Sequence, residues 1–314
     1  MISPFIKPRA LRSGATLAIL SPASATKPEL VERGVTHLQR LGYKTAVGPH
    51  ALDSGPLYYA GKLEDRLQDL HTAFADPNVD GIVCTRGGWG SAELLPHLDA
   101  ALIRTNPKAF IGYSDHTSLH CWLQNEANLV TFYGPMASAD FSRDDGVDMP
   151  SWQHSLTGNS SWSLGTAEGL RVLRAGQAEG LVTGACLSIF AEALGTPYAP
   201  RIEKDSILFL EDIGTKPYQW DRMLLHLRYA GLLNKVTGIV FGDMGQNVSP
   251  EEMEYLERAI LHSLRQFDGP IGIGLRCGHV STYNVTLPLG VSARLDLTEP
   301  RNPQMHLLEA AVSG

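Results

Sequence analysis

The tightest constraint on this chain is a rhythm in its first half. Short, continuous apolar runs recur between residues 15 and 133: "ATLAIL", "KTAV", "GIVC", "AFIGY" and "LVTFY". Segments with helical spacing lie between them. Val31, Val35, Leu38 and Leu41 fall on one stripe, and Leu63, Leu67, Leu70 and Phe74 on another. A strand that is apolar at every position has no face to give to water and must be covered on both sides. Such strands, alternating with amphipathic helices, predict a parallel sheet between helix layers, so the expected fold class is α/β.

Residues 141–168, "FSRDDGVDMPSWQHSLTGNSSWSLGTAE", break the rhythm: they are rich in Ser, Gly and Asp, and no period holds. The expected division is an N-terminal α/β domain over 1–145, a linker or crossing over 146–168 and a C-terminal domain over 169–314. With 314 residues the chain is long enough for two domains of ordinary size. The second half is more mixed. A helix is expected around 185–194, a strand at "SILFLED", and a helix with the stripe Trp220, Met223, Leu224 and Leu227. A strand "VTGIVFGD" and a helix with Met253, Leu256, Ile260 and Leu264 follow. "VSARLDL" alternates with period two, which predicts antiparallel strands and a mixed α/β C-terminal domain.

Charge and cysteine usage narrow the function classes. A formal net charge of −7, with no block of lysines or arginines, argues against nucleic acid as a partner. Ala15–Leu20 is too short and too late for a signal-peptide core, and no run approaches a membrane span, so no membrane partner is expected. Cys84, Cys121, Cys186 and Cys277 are far apart and form no CxxC pair. They read as small buried thiols in a reducing, cytoplasmic setting. His116 and His120 are four apart but lack the glutamate and third ligand of a zinc peptidase, so neither a metal nor a cofactor is expected.

The chemistry concentrates where strands end. In "AFIGYSDHTSLH" an apolar strand stops at Gly112, Ser114 sits on the corner, and a helix follows. This is the setting of a nucleophile elbow, in which a tight turn lifts a hydroxyl clear of the sheet. The N–H of Asp115 would then face a developing oxyanion at a helix start. The pattern G-x-S-D-x matches only half of the G-x-S-x-G motif, and a helix cap is the competing reading. "CTRGGWGS" places Gly87 and Gly88 after another strand. Without G-x-G-x-x-G or a Walker lysine, these glycines fit as backbone approaching a reacting carbonyl, Gly88 supplying a second oxyanion donor. His279, after the turn residue Gly278, is the candidate base. Glu211 and Asp212, at the end of "SILFLED", are both candidates for the carboxylate that orients it. Arg86 and Arg276 are candidates for binding a substrate carboxylate.

Taken together, "RGGWGSAELLPHLD", "FIGYSDHTSLH…VTFYGPM", "LFLEDIGTKPYQWDRMLLHL" and "GHVSTYNVTLPLG" resemble, in content and order, the LD-carboxypeptidase family of serine peptidases. That family includes the murein tetrapeptide carboxypeptidases and the microcin-immunity peptidases. The likeness runs from "LRSGATLAILSPAS" to "VTLPLGVSARLDL", nearly the whole chain. It implies a triad of Ser114, Glu211 and His279, and thereby favours Glu211 over Asp212. It further implies that the serine lies on the N-terminal domain and the other two on the C-terminal one, with the active site at the domain cleft of a homodimer. The implied activity is release of a C-terminal D-alanine from murein tetrapeptides. The implied partner is thus a murein peptide with a C-terminal D-amino acid. An amidase cleaving peptidyl-nucleotide antibiotics is the alternative within the fold, and a non-catalytic cleft-binding protein the alternative outside it. Two departures bear on substrate: Gly184, Ala185, Cys186 and Leu187 stand where members often show G-G-N-L, and Trp89 stands where tyrosine is common, beside Gly87 and Arg86 in the candidate substrate site.

Overall fold

The computed structural model describes residues 5–55 and 57–314, and the chain divides into two compact units. The first comprises residues 1–159, 283–290 and 310–314; the second comprises 160–282 and 291–309. The sequence bounds of 1–145, 146–168 and 169–314 group the two returning segments with the second half, whereas the contacts group them with the first unit.

The first unit is built on the expected parallel sheet. Strands β1 (Thr16–Leu20), β2 (Lys44–Val47), β3 (Gly81–Cys84), β4 (Ala109–Gly112) and β5 (Thr131–Tyr133) run parallel in the spatial order β5-β4-β3-β1-β2. β3, β4 and β5 are buried at every position, which explains their unbroken apolar runs. β2 lies at the edge, mostly exposed and opening with Lys44, a residue that discourages further strand pairing. The open side of β5 is covered by Leu287–Leu289, which pairs antiparallel with it and sets Leu287 opposite Tyr133.

Helices α1 (Pro28–Arg40), α2 (Leu63–Ala75), α3 (Ala100–Thr105) and α4 (Thr117–Ala127) fill the connections. α1 buries Val31 and Leu38, and α2 buries Leu70 and Phe74, as their stripes predict. Between β3 and α3 lies a 3₁₀ segment, Ser91–His97, with Pro96 inside it. A proline there lacks the N–H that an α-helical ladder requires. Residues 146–168, read from the sequence as an unpatterned crossing, carry α5 (Met149–Leu156) and the short strand β6 (Trp162–Leu164). Asp148 caps α5 by accepting the Ser151 N–H at 2.9 Å, and Trp152 is fully buried, its indole N–H donating to the Tyr43 hydroxyl at 3.1 Å. Two turns are too few for a periodic signal to emerge from a Ser-rich stretch.

The second unit carries an eight-stranded mixed sheet. β7 (Arg171–Arg174), β8 (Gln177–Cys186), β9 (Ser206–Glu211), β10 (Val236–Gly242) and β11 (Ile271–Leu275) come first along the chain. β12 is the Leu287–Leu289 strand of the first unit, and β13 (Ser292–Asp296) and β14 (Gln304–Leu307) follow it. β8 to β11 are mutually parallel, while β7, β13, β14 and β6 add antiparallel. The period-two segment "VSARLDL" is thus the antiparallel β13. α6 (Leu187–Glu192), α7 (Pro217–Tyr229) and α8 (Met253–Ser263) complete this unit, and α7 buries Trp220, Leu224 and Leu227. No described helix is long and apolar enough to cross a membrane.

Two histidines lie in the core of the first unit. His116 and His120 are 0% and 1% exposed, and each ring meets Phe110 edge-on. The His120 Nε2–H donates to the Gly112 carbonyl at 2.8 Å. Burial pushes the pKa of His116 down to about 3 and that of His120 down to about 4. Both rings are therefore neutral when folded, whereas unfolded imidazoles take up protons below about pH 6.5. Their contribution is present above that pH and is lost as the pH falls towards 4, at about 1.4 kcal/mol per pH unit for each ring. His116→Leu is expected to flatten the pH dependence of unfolding free energy by about one proton between pH 6 and 4. Urea melts of both proteins across that range measure the slope, and equal slopes would contradict the assignment.

Candidate active site

The corner after β4 is where the sequence places a nucleophile. Ser114 has φ of 66°, one of three non-glycine residues in the left-handed region among the described residues. An L-residue there costs about 1–2 kcal/mol, so surrounding contacts must hold it. Its N–H donates to the Tyr133 hydroxyl at 3.0 Å, from the end of the neighbouring strand β5. Ser114 itself is half-buried, while Asp115 is buried. The helix-cap reading does not describe this corner. Among the described residues no side chain caps the 3₁₀ turn Ser114–His116 or the α4 that follows it. The Asp115 carboxylate instead accepts the Ser91 N–H at 2.9 Å, and the Ser91 hydroxyl donates to the Asp115 carbonyl at 2.7 Å. Burial pushes the Asp115 carboxyl above the usual carboxylate range, partly offset by these bonds.

The glycine loop lies directly against the serine. A Cβ on Gly87 would sit 2.8 Å from Ser114 Cβ, 2.9 Å from its Oγ and 3.3 Å from the Asp115 nitrogen. Only glycine lets the backbone approach this closely. The next turn is tied down by Ser24, whose Oγ accepts the Trp89 N–H at 2.9 Å and whose own N–H donates to the Gly87 carbonyl at 3.3 Å. Gly88 is half-buried beside Ser24, and Trp89 leaves its side chain 53% exposed. Arg86 is exposed and donates weakly to the Ala25 carbonyl at 3.4 Å.

Arg66 went unnoticed in the sequence, although it shares the buried face of α2 with Leu70 and Phe74. It is 2% exposed, and its guanidinium donates to the carbonyls of Pro22 and Gly90 at 3.1 and 2.8 Å and to Glu93 at 2.6 Å. A buried cation needs such acceptors, and here the two terminal nitrogens have them while Nε has none. Here it clamps both ends of the glycine loop's surroundings. Ser24 and Tyr133 were likewise invisible to motif reading, because each acts through a contact far away in sequence.

The second unit carries Glu211 and His279. Glu211 ends β9 and is fully buried; its Oε2 accepts the His279 Nδ1–H at 2.8 Å and the His279 backbone N–H at 2.9 Å. This fixes the ring by two bonds to one carboxylate and selects the Nδ1–H tautomer, leaving Nε2 basic. Gly278, with φ of 92°, turns the chain against the carboxylate; a Cβ there would lie 2.4 Å from Glu211 Cδ. The His279 side chain remains 13% exposed. Asp212 points elsewhere, accepting the Ser188 and Ile213 N–H groups, each at 2.8 Å, and so bracing the start of α6. Of the two acids, it is Glu211 that meets the histidine. Arg276 donates its N–H to the Glu168 carbonyl at 2.9 Å and its guanidinium to the Ala167 carbonyl.

One trio with metal-ligand chemistry exists among the described residues: His50, Asp53 and Asp65. The His50 ring already bonds Asp53 at 2.9 Å and faces Asp65 at 3.9 Å, and the bond to Asp53 raises its pKa. That is the behaviour of a half-buried ion-pair network.

Comparison with known proteins matches both units. Residues 17–134 match the LD-carboxypeptidase N-terminal domain, and residues 179–295 match the LD-carboxypeptidase C-terminal domain. A Bacillus subtilis (strain 168) protein named Probable murein peptide carboxypeptidase is 34% identical over 312 residues, covering 98% of this chain and 95% of that protein. The crystal structure of an MccF-like protein from Bacillus anthracis str. Ames superposes with a TM-score of 0.88 at 28% identity, covering 97% of this chain and 99% of that one. A structure of the microcin self-immunity protein MccF in complex with aspartyl sulfamoyl adenosine gives a TM-score of 0.85 at 26% identity, over 98% and 100% of the two chains. With both of its domains matched in order, and with a relative of this identity over almost its full length, the chain belongs to the LD-carboxypeptidase family of peptide hydrolases.

Proposed function

We propose that the protein is a serine carboxypeptidase that releases the C-terminal D-alanine of murein tetrapeptides through an acyl-enzyme. The observation that carries this reading is the Glu211–His279 pair, in which a fully buried carboxylate grips both a ring nitrogen and the backbone of one histidine. The family likeness supplies Ser114 as its partner, and the strained corner at Ser114 supports that choice.

In the proposed reaction, His279 Nε2 takes the Ser114 proton as Oγ attacks the carbonyl carbon of the scissile amide. Glu211 stabilises the imidazolium that forms and holds its orientation. The N–H groups of Asp115 and Gly88 receive the oxyanion, each such donor being worth about 3–4 kcal/mol in related chemistry. The imidazolium then protonates the leaving amine, the C–N bond breaks, and D-alanine departs. Water, deprotonated by His279, hydrolyses the ester and restores the serine. Arg86 and Arg276 are proposed to serve the free α-carboxylate, and the resemblance carries a cytoplasmic homodimer into the same proposal.

A second reading has a specific observation behind it: the MccF structure with aspartyl sulfamoyl adenosine shows that a close structural neighbour binds a peptidyl-nucleotide analogue. The exposed Trp89 indole offers this chain a flat apolar surface beside the glycine loop.

Ser114→Ala is expected to lower kcat for D-alanine release from a defined murein tetrapeptide by about 10³-fold or more, with circular dichroism and thermal midpoint preserved. Undiminished turnover in that variant would end the proposal. Glu211→Gln is expected to cost about 10³–10⁴-fold in kcat, because the amide offers the imidazole the wrong tautomer. Parallel assays on the tetrapeptide and on an acyl-sulfamoyl adenylate decide the substrate. A higher kcat/KM on the adenylate would favour the second reading.

A further inference from the structure

We propose that Tyr133 is a positioning residue that holds the nucleophile in its left-handed conformation; this rests on the reading of Ser114 as nucleophile. Ser114 precedes α4, so its N–H has no acceptor in the ladder of that helix and needs its own. The Tyr133 hydroxyl is that acceptor, at 3.0 Å. Its location is set by sheet register: Tyr133 lies opposite Gly112 in the parallel β4–β5 pair, so its ring stands at the strand ends beside the corner. The ring is wholly buried, and its neighbours include the rings of His120 at 5.6 Å and Tyr113 at 6.1 Å. His120 in turn bonds the Gly112 carbonyl, so the phenol and the strand end it serves are braced by the same imidazole.

The peptide plane between Tyr113 and Ser114 carries two consequences at once. Its tilt sets where Oγ points, and through the next peptide it sets where the Asp115 N–H points. If the plane flips towards negative φ, the hydroxyl and the oxyanion donor swing together. The glycine loop blocks that swing on one side, since Gly87 lies in contact with Ser114. The phenol hydrogen bond resists it on the other. Tyr133 therefore reaches the chemistry through Ser114 and does not bind the substrate itself.

Tyr133→Phe tests this. Crystals of the variant are expected to show Ser114 with φ moved out of the left-handed region. Its kcat is expected to fall about 10- to 100-fold, the scale of loss when a reacting group is misplaced. KM should stay within about twofold, as expected when no binding contact is lost. Labelling of Ser114 by a fluorophosphonate should slow by the same factor as kcat. Should Tyr133→Phe not accumulate as folded protein, 4-aminophenylalanine at 133 keeps the ring and a donor but offers a poor acceptor, and should reproduce the same losses. Wild-type rates of labelling and turnover in these variants, with Ser114 still at positive φ, would overturn the inference alone. Absence of labelling in the wild type, with Ser114→Ala still active, would overturn the nucleophile reading and the inference with it.

Discussion

A serine forced into left-handed backbone is the constraint around which the strand ends of the first unit are arranged. Such a residue persists only when its surroundings leave it no alternative. Gly87 excludes one escape by contact, and the Tyr133 hydroxyl satisfies the amide that the conformation strands. Behind these stands another ring of support: Ser91 on Asp115, Ser24 on Trp89, and the buried Arg66 on the carbonyls of Pro22 and Gly90. Each brings a polar side chain to a backbone group on a different element. These directional bonds fix the corner in a way that a cluster of interchangeable apolar contacts would not.

In the second unit two neighbouring acids divide the work. Glu211 closes β9 and Asp212 follows directly after it, and the two carboxylates take different partners. One meets a histidine, the other a helix start. Burial raises the pKa of Asp212, and the Glu211 charge raises it further. Its bonds from the Ser188 and Ile213 amides act in the opposite direction. Placing two carboxyls side by side in the core is costly unless each has its own donors, and here each does.

What could be read from the sequence was whatever repeats or clusters locally. The apolar runs located β1, β3, β4 and β5 because full burial leaves an unbroken signature, and the Gly-Tyr-Ser-Asp string marked a corner. The 3₁₀ segment at Ser91–His97 and the two-turn α5 were missed because neither sustains a period. Strand alternation could not choose between Glu211 and Asp212; only the family resemblance did, and the histidine contact agrees with it. The contacts of Arg66, Ser24, Ser91 and Tyr133 carried no local signal. Their partners lie between 19 and 65 positions away, and only the folded chain reveals such pairings.

The strand Leu287–Leu289 has a consequence for biosynthesis. A ribosome that has made residues 1–159 has produced all five parallel strands of the first sheet, yet the outer edge of β5 still presents its backbone N–H and C=O groups unpaired. The segment that shields it emerges only after more than a hundred further residues, those of most of the second unit. During that interval the nascent first unit carries the kind of open flank that recruits other chains. Maturation of its sheet therefore waits for Leu287–Leu289, and premature termination between residues 160 and 282 would release a product with an unpaired strand edge in its first sheet.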